Sequence, residues 1–247
     1  MAPKNILVLI PARFDSTRFP GKPLALIAGK PMIQWVYERV SLSSSGLINF
    51  NVCVVTDHEK VKEAVEAFAG KVCLVDDETE SGTERIALAL ERHFKQKNYD
   101  LVINVQGDEP LIIPKIIEDL CQFHLGSDFD ITTVVREDNE IGKDPNTVKA
   151  IYCPSSGRCL YFSRSEIPFD RHQSRENFYA HVGIYSFKPE ALKSFCEFPV
   201  GHYEKIESLE QLRALENGLT IGAIKVNERL QGVDTPEDIA KVEEKLK

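Results

Sequence analysis

The stretch ILVLIPARFDSTRFPGKP, residues 6–23, gives the clearest indication of the fold. It opens with five apolar residues, Ile6–Ile10, a run that is too short for a buried helix and rich in β-branched side chains. Such a run is typical of a strand that is buried on both faces of a parallel sheet. The loop after it, residues 11–23, contains prolines, a glycine and three cations. The sequence therefore predicts a buried first strand with a polar loop at its carboxyl end.

Three similar runs follow along the first half of the chain, at Val52–Val55, Val72–Val75 and Leu101–Val105. Between the four runs, apolar residues recur at helical spacing over residues 32–40, 61–68 and 86–94. Two of these helices are preceded by the pattern of a capping box, Thr56 with Glu59 and Ser81 with Glu84. The alternation of strands and helices predicts an α/β sandwich around a mostly parallel sheet.

The second half of the chain has a looser rhythm, which we interpret as an insertion on the same sheet. Its predicted strands are Asp130–Val135, Thr147–Tyr152, Arg158–Phe162 and Ala180–Phe187. A helix is predicted over Glu204–Asn217, with Ile206, Leu209, Leu212 and Leu215 facing inward, and a last helix begins at Thr235-Pro236. We predict one domain over residues 1–247, with a core of approximately 1–125 and 218–247 and an extension over 126–217.

Composition excludes several classes of protein. A hydrophobic content of 43% over 247 residues is ample for a core, and the formal charge of −8 argues against binding to a nucleic-acid backbone. The six cysteines are scattered without a C-x-x-C pair, so we expect reduced thiols in a cytoplasmic protein. No run of about 18 apolar residues is present, so we expect no membrane span.

The loop after the first strand is a candidate phosphate site. Arg13, Arg18 and Lys22 lie among small residues at the carboxyl end of a parallel strand, where open α/β sheets bind ligands. Three cations and exposed backbone amides can neutralise a triphosphate. The loop is not a Walker motif, because Gly21-Lys22 is followed by Pro23 instead of a hydroxyl residue. The alternative is a solvated basic loop.

Two further segments carry carboxylates that suit Mg²⁺, which prefers oxygen ligands. In NVQGDEP, residues 104–110, Asp108 follows a buried strand and a glycine turn. In GVDTPED, residues 232–238, Thr235 and its acidic neighbours can serve the last helix, but Asp234 has no required structural role. If Asp234 lies beside Asp108, the pair can share a metal and orient an attacking hydroxyl. A turn cap is the structural alternative for Asp108.

The segment SGTER, residues 81–85, places small side chains and free amides at a predicted helix start. That arrangement suits the recognition of a base edge or a ribose. Helix capping by Ser81 and Glu84 explains the same residues without a ligand, so both interpretations stay open.

Taken together, seven motifs closely resemble the 3-deoxy-manno-octulosonate cytidylyltransferases, the CMP-Kdo synthetases. They are LIPAR…STRFPGKP, SGTER, NVQGDEP, LYFSRSEIP, HVGIY, LEQLR and GVDTPED, in the expected order from Ile6 to the C-terminus. The resemblance implies a Rossmann-like three-layer fold of the sugar nucleotidyltransferase type, with an extension that dimerises. It also implies transfer of CMP from CTP to 3-deoxy-D-manno-octulosonate (Kdo), with release of pyrophosphate, in lipopolysaccharide biosynthesis.

The resemblance also implies roles for individual residues and partners. CTP would be bound by Ala12, Arg13, Arg18, Lys22, Ser81, Gly82 and Gln106. The catalytic residues would be Arg13, Lys22, Asp108 and Asp234, of which the two aspartates would also hold Mg²⁺. The acidic eight-carbon sugar would contact Arg164, His181, Tyr185, Glu210 and Gln211. The enzyme would work as a cytoplasmic homodimer.

One position departs from the family pattern and leaves the sugar open. Many relatives have a histidine two residues before the SGT turn, where this sequence has Thr79 after three acidic residues. Because a subgroup of the family uses 8-amino-3,8-dideoxy-manno-octulosonate, that analogue is the alternative to Kdo.

Rival functions and ordinary structural roles also stay open. His181 alone is more often a structural histidine, and Glu210 can be a solvated helix residue. Another sugar nucleotidyltransferase, acting on a sialic acid or an aldose phosphate, would use a similar phosphate loop. A metal-dependent glycosyltransferase would present a similar aspartate and release no pyrophosphate. A nucleotide-binding regulator would bind CTP without turnover.

Overall fold

The computed structural model describes residues 3–15, 19–44, 46–79, 81–141, 144–173 and 178–246, and the chain divides into two compact units. The first unit consists of Met1–Glu118 and Leu230–Lys247, and the second of Asp119–Arg229. The second unit extends past residue 217, where the extension is predicted to end, because residues 221–226 form a strand of its sheet. Arg18, one of the predicted CTP-binding residues, lies outside the described residues.

The first unit is built on parallel strands. In chain order it contains β1 (Lys4–Ala12), a 3-10 turn (Lys22–Leu24), β2 (Leu26–Ile27), β3 (Lys30–Pro31), α1 (Met32–Ser41), β4 (Ile48–Thr56), α2 (Glu59–Ala67), β5 (Val72–Leu74), α3 (Gly82–His93), β6 (Leu101–Asn104) and α4 (Pro114–Leu125), which contains the limit of the unit. The strands lie in the order β5-β4-β1-β6 and pair in parallel, while β2 and β3 form a short antiparallel pair.

The four apolar runs of the first half are all strands, as predicted. Every residue of β1 from Ile6 to Ala12 is buried, because helices cover both faces of a parallel sheet. Register places Ala12 opposite Thr56, so β1 and β4 end at the same edge. The loops that follow these strands therefore leave the sheet side by side.

The second unit has a mixed sheet. Its elements are β7 (Ile131–Glu137), β8 (Lys149–Cys153), β9 (Arg158–Ser163), β10 (Tyr179–Phe187), α5 (Pro189–Glu197), α6 (His202–Glu207), α7 (Gln211–Glu216) and β11 (Ile221–Val226), after which α8 (Glu237–Leu246) belongs to the first unit. The strand order is β10-β7-β11-β9-β8, and β8 also pairs with β10. Only the β7–β11 pairing is parallel among the pairings described in this unit. The four strands predicted for this region are confirmed, whereas α4, α5 and β11 were not predicted.

The single helix predicted over Glu204–Asn217 is wrong, because the chain forms two short helices, α6 and α7. They are separated at Ser208, whose φ of 52° is left-handed and cannot continue a helix. Ile206, predicted to face inward, is 66% exposed, since the buried side of α6 is occupied by Glu204 instead. The predicted stop is confirmed: Asn217 caps α7, and Gly218 takes a left-handed conformation with φ of 83°.

The capping box predicted for α2 is also wrong. Thr56 still belongs to β4, and its hydroxyl donates to the carbonyl of Ala12 at 2.8 Å. The cap is His58, whose Nδ1 accepts from the amide of Lys60 at 3.1 Å. For α3 the Ser81 half of the predicted capping box is confirmed, since Ser81 is the N-cap and its hydroxyl accepts from the amide of Glu84.

The predicted inward face of the last helix is confirmed. Val242 is fully buried in a cluster with Ile27, Met32 and Val233, and Ile239 and Leu246 pack against that cluster. The helix thereby holds the segment before it, which contains Asp234, in the first unit.

The six cysteines are all free thiols, as the sequence predicts. In the part of the chain that the structure describes, no helix combines the length and the apolar character needed to cross a membrane.

Candidate active site

A lysine meets two aspartates from distant segments in the first unit. The ammonium of Lys22 donates to Asp108 Oδ2 at 2.5 Å and to the carbonyl of Val233 at 3.1 Å, and it lies 3.9 Å from Asp234 Oδ1. Both carboxylates therefore lie within ion-pair distance of one ammonium. The structure thus brings together three of the four residues that the resemblance implies for catalysis.

The backbone around Lys22 fixes the direction of its side chain. Gly21 has a φ of 71°, a left-handed conformation that favours glycine, and its amide donates to the carbonyl of Phe14 at 2.9 Å. Lys22 then begins a 3-10 turn in which Pro23 is buried. The prolines and glycine of the loop therefore serve to present one cation at a defined position.

Close backbone packing ties the aspartate turn to β1. A Cβ atom on Gly107 would lie 2.7 Å from the carbonyl oxygen of Pro11, so only glycine fits without a shift. On the other side, the amide of Val233 donates to the carbonyl of Asp108 at 2.9 Å. The end of β1, the turn after β6 and the segment before α8 therefore form one connected structure.

Glu109 is a partly buried residue beside this site that the sequence reasoning did not single out. Burial, followed by the charges of Asp108 and Asp234, raises the pKa of Glu109 to about 8. Its Oε2 is buried and has no hydrogen-bond partner among the described residues. Its place next to Asp108 in the GDEP motif was the only signal in the sequence.

Arg13 lies at a different part of the same edge. Its guanidinium donates to the carbonyl of Thr79 at 2.5 Å and to the Thr79 hydroxyl at 3.2 Å. It lines an open cleft of about 680 Å³ together with Asp15, Asp57, His58, Asp76, Asp77, Glu78, Thr79 and Arg85. Thr79, which stands where many relatives have a histidine, thus contacts Arg13, a residue predicted to bind phosphate.

Four of the residues predicted to bind CTP lie together at the end of β1. A Cβ on Gly82 would lie 3.1 Å from the ring of Pro11 and 3.9 Å from Gln106 Oε1. Ser81 precedes Gly82 as the N-cap of α3, and Ala12 is buried at the last position of β1. The structure therefore groups Ala12, Ser81, Gly82 and Gln106 in the first unit. Ser81 caps α3 there, and this cap is compatible with a second role in nucleotide recognition.

In the second unit, three of the predicted sugar residues form a buried polar group. The Tyr185 hydroxyl donates to Gln211 Oε1 at 3.1 Å, and the rings of Tyr185 and His181 are 5.3 Å apart. The side-chain nitrogen of Gln211 is buried without a hydrogen-bond partner among the described residues. Burial, followed by the nearby charge of Glu210, raises the pKa of Tyr185 well above its ordinary value.

His181 is a neutral imidazole in this group. Burial lowers its pKa to about 3. The hydroxyl of Thr133 lies 2.7 Å from the carbonyl of Ile184, which can only accept, and 2.9 Å from His181 Nε2. Thr133 therefore donates to Ile184 and accepts from the imidazole, so the proton sits on Nε2 and Nδ1 is an acceptor.

Arg164, also predicted to bind the sugar, is held by the protein backbone. Its guanidinium donates to the carbonyls of Glu207 at 2.7 Å, Pro145 at 3.0 Å and Ser208 at 3.3 Å. These bonds orient the guanidinium and tie strand β9 to the turn between α6 and α7. The contacts that the structure gives Arg164 are therefore structural.

This geometry defines an α/β protein in which a lysine from the loop after β1 lies between two carboxylates. A family model for cytidylyltransferases matches residues 7–221. An 8-amino-3,8-dideoxy-manno-octulosonate cytidylyltransferase of Shewanella pealeana is 45% identical, with 98% of each chain covered. A 3-deoxy-manno-octulosonate cytidylyltransferase of Desulfatibacillum aliphaticivorans is 44% identical, covering 98% of this chain and 99% of the relative.

A solved structure agrees with these relatives. The structure of CMP:2-keto-3-deoxy-manno-octonic acid synthetase complexed with CTP is 36% identical, with a TM-score of 0.91 and 98% of each chain covered. The chain belongs to the 3-deoxy-manno-octulosonate cytidylyltransferase family, and both the predicted family and the predicted fold class are confirmed.

Proposed function

We propose that this protein transfers CMP from CTP to the anomeric hydroxyl of Kdo, giving CMP-Kdo and pyrophosphate for lipopolysaccharide biosynthesis. The observation that carries the proposal is the convergence of Lys22, Asp108 and Asp234 in a member of this family. The same reaction on 8-amino-3,8-dideoxy-manno-octulosonate is the alternative, because relatives of almost equal similarity carry each name.

The charges around Lys22 support a role for Mg²⁺. One ammonium between two carboxylates leaves an excess of negative charge, which opposes the approach of a triphosphate. Asp108 and Asp234 would hold Mg²⁺, which when bound would neutralise phosphate oxygens. The described residues form no group of three or more histidine, cysteine or acidic side chains suited to a metal. Phosphate oxygens and water would therefore complete the shell, as is usual for Mg²⁺.

The cations of the site would act on the phosphates. Lys22 exchanges Asp108 for a phosphate oxygen when CTP binds, and Arg13 exchanges the carbonyl of Thr79 for another. Both then hold the pyrophosphate, which leaves with the electron pair of its bond to the α-phosphorus, while the anomeric oxygen bonds to that phosphorus and its proton passes to water. Positioning and charge compensation supply most of the acceleration in such a transfer.

The polar group of the second unit would bind the sugar. His181 Nδ1 can accept from a sugar hydroxyl, because Nε2 already donates to Thr133. The side-chain nitrogen of Gln211 is a buried donor without a hydrogen-bond partner in the described chain, and a sugar oxygen would satisfy it. Glu210 beside Tyr185 offers a further acceptor. We also propose that the protein acts in the cytoplasm as a homodimer that associates through the second unit.

The test is pyrophosphate release from CTP and Mg²⁺ with Kdo and its 8-amino analogue in parallel, with kcat/KM determined for each. Release with Kdo supports the proposal, and a preference for the amino sugar would select the alternative. Binding of CTP without release in either assay would favour a regulator. Consumption of a nucleotide sugar without pyrophosphate release would favour a glycosyltransferase.

Two variants locate the reaction. Asp108→Asn should lower turnover by about 10²–10³-fold, because it removes a charge that acts on the reacting phosphate. Asp100→Asn is the matched control, since Asp100 immediately precedes β6 at its opposite end and bonds Lys4. Equal activity of the two variants would refute the role of Asp108.

A further inference from the structure

We propose that Asp57 and Arg85 position Phe14, and through it the cations Arg13 and Lys22, in the loop after β1. This inference rests on the proposed function of that loop in binding CTP. Neither residue has a role in the reaction as described above. Both lie at the strand edge that carries Arg13, and both line the cleft that contains it.

Asp57 joins the loop to helix α3 through a single carboxylate. Its Oδ1 accepts from the amide of Phe14 at 3.1 Å, and its Oδ2 lies 3.1 Å from Arg85 Nη2. Asp57 follows directly after β4, and Phe14 lies two residues beyond β1. Ala12 and Thr56 are the last paired residues of β1 and β4. The bond from the Phe14 amide to the Asp57 carboxylate therefore adds one more contact between the two chain segments, just beyond the ends of these strands.

Arg85 makes the position of this carboxylate rigid. Its side chain is only 3% exposed, and its Nη1 donates to the carbonyl of Val75, just after β5. Val75 is itself bonded to β4, because its amide donates to the carbonyl of Thr56 at 2.8 Å. The guanidinium is thus fixed by α3 and by the end of β5, and it holds Asp57 from the side away from the loop.

The residue that Asp57 holds, Phe14, lies between Arg13 and Lys22, two of the three cations of the loop. The carbonyl of Phe14 accepts from the amide of Gly21, which precedes Lys22, and Arg13 precedes Phe14. The ring of Phe14 stacks on His58 with the centroids 4.1 Å apart. Phe14 is therefore anchored through its amide, its carbonyl and its ring, and both cations depart from this anchored point.

The pairing also solves an electrostatic problem. A carboxylate beside a phosphate-binding loop would repel a triphosphate if it were unpaired. Arg85 compensates the charge of Asp57, so the loop gains a strong hydrogen-bond acceptor with no excess negative charge. A neutral acceptor alone would leave the buried guanidinium without a counter-ion, which is unfavourable.

The test compares Asp57→Ala and Asp57→Asn with a control of the same geometry. Asp100→Ala is that control, because Asp100 accepts from the amide of Asn5 at 2.8 Å and from Lys4 at 2.7 Å, at the start of β1 instead of its end. The affinity for CTP with Mg²⁺ is measured by calorimetry without sugar, and KM for CTP and for the sugar and kcat are measured by pyrophosphate release.

Asp57→Ala should raise Kd and KM for CTP by about tenfold, which corresponds to the loss of one charge-assisted hydrogen bond. KM for the sugar should change less than about twofold, because Asp57 acts only through the loop. Asp57→Asn keeps an acceptor for Phe14 and the same volume but leaves Arg85 without its counter-ion. It should weaken CTP binding by about threefold, and circular dichroism verifies that it is folded. Asp100→Ala should leave all three constants within about twofold of the original chain.

A Kd for CTP within twofold of the original in folded Asp57→Asn and Asp57→Ala would overturn the inference. Should Asp57→Ala fail to fold, Asp57→Asn decides alone. An equal rise of KM for both substrates, or an equal effect of Asp100→Ala, would also overturn it, because each indicates a general loss of structure. Calorimetry uses no sugar, so failure of turnover with both sugars would refute the proposed reaction and leave this inference to be decided by the CTP affinities.

Discussion

The ion pair between Glu204 and Arg213 offers the sharpest test of how the second unit supports its polar group. Arg213 donates from Nε to Glu204 Oε2 at 2.8 Å and from Nη2 to Oε1 at 2.6 Å, and their side chains are 3% and 10% exposed. The same carboxylate accepts from the amide of Gly201 at 2.9 Å. The pair joins α6 to α7, whose first residue is Gln211.

The structure sets the size of the expected effect. Arg213→Met leaves a buried carboxylate with one amide as its partner, and loss of one member of a buried pair costs about 3–5 kcal/mol of unfolding free energy. Adding Glu204→Gln removes the stranded charge and retains an acceptor for Gly201. The double variant should therefore be more stable than Arg213→Met alone by about 2 kcal/mol, since neutral replacements of a whole buried pair are tolerated.

Hydrogen exchange over residues 201–217 is the appropriate assay, because the only tryptophan, Trp35, lies in the first unit and does not report on these helices. Exchange protection gives the free energy of opening for this segment. Lys193→Ala is the control, since its pairing with Glu197 at 3.8 Å is exposed and should contribute less than about 0.5 kcal/mol.

Functional assays give a second readout of the same variants. Because Gln211 begins α7, Arg213→Met should raise KM for the sugar and leave KM for CTP unchanged. The reasoning is refuted if Arg213→Met lowers the opening free energy by less than about 1 kcal/mol, or if the double variant is no more stable than the single one.

Three further predictions concern single positions. Lys22→Met should lower turnover about 10²–10³-fold and tighten binding of Mg²⁺ alone, measured by calorimetry, because the ammonium between the carboxylates is gone; unchanged Mg²⁺ affinity would contradict this. Burial lowers the pKa of His124 to about 4, so stability present above pH 6.5 is lost as the pH falls towards 4. Urea unfolding at pH 7.5 and 4.5 measures this effect. Between the two pH values, the free energy of unfolding should fall by about 2 kcal/mol less in His124→Asn than in the original chain, and an equal fall in both would contradict the lowered pKa of His124. Gly107→Ala should lower kcat/KM at least about tenfold, because its Cβ would lie 2.7 Å from the Pro11 carbonyl oxygen, whereas Gly126→Ala, with a nearest contact of 3.4 Å, should have little effect.

The strands of the first unit could be predicted because their sequence permits little else. Runs such as Ile6–Ile10 and Leu101–Val105 are too short for a helix and too apolar for a loop. The N-cap of α3 could be predicted equally well, since Ser81 satisfies a free amide within its own segment. Local patterns that have one physical solution are the part of the fold that sequence reasoning recovers.

The predictions were wrong where a residue could adopt either of two local structures. Thr56 can cap a helix or finish a strand, and its bond to Ala12 on the neighbouring strand decided for the strand. Residues 204–217 have helical periodicity, yet the contacts of Glu204 and Arg213 close a turn at Ser208 that no periodicity reveals. In β11, Gly222 and Ala223 interrupt the β-branched residues, and the ring of Phe129 packs against Gly222 in the folded chain.

The candidate site could be predicted in part from the sequence, for a related reason. Asp234 could be singled out because the local structure of the last helix leaves it without a role. Asp57, Arg85 and Glu109 could not, since each has an ordinary explanation as a turn, helix or surface residue. Only the folded chain shows that Arg85 is buried against Asp57 and that Glu109 is partly buried beside the aspartates.

The charge of the whole chain constrains how a triphosphate can bind. A protein with a formal charge of −8 does not attract CTP at long range, and in the absence of ligand Lys22 is already engaged by a carboxylate and Arg13 by the Thr79 backbone. Binding energy must therefore come from exchange of partners within the site. Lys22 can release Asp108 to take a phosphate oxygen only if another cation takes over the carboxylate, because a bare carboxylate beside a phosphate is repelled. Because one lysine lies between two aspartates, we expect CTP binding to require a divalent cation, and we expect the bond between Phe14 and Asp57 to fix where the exchange occurs.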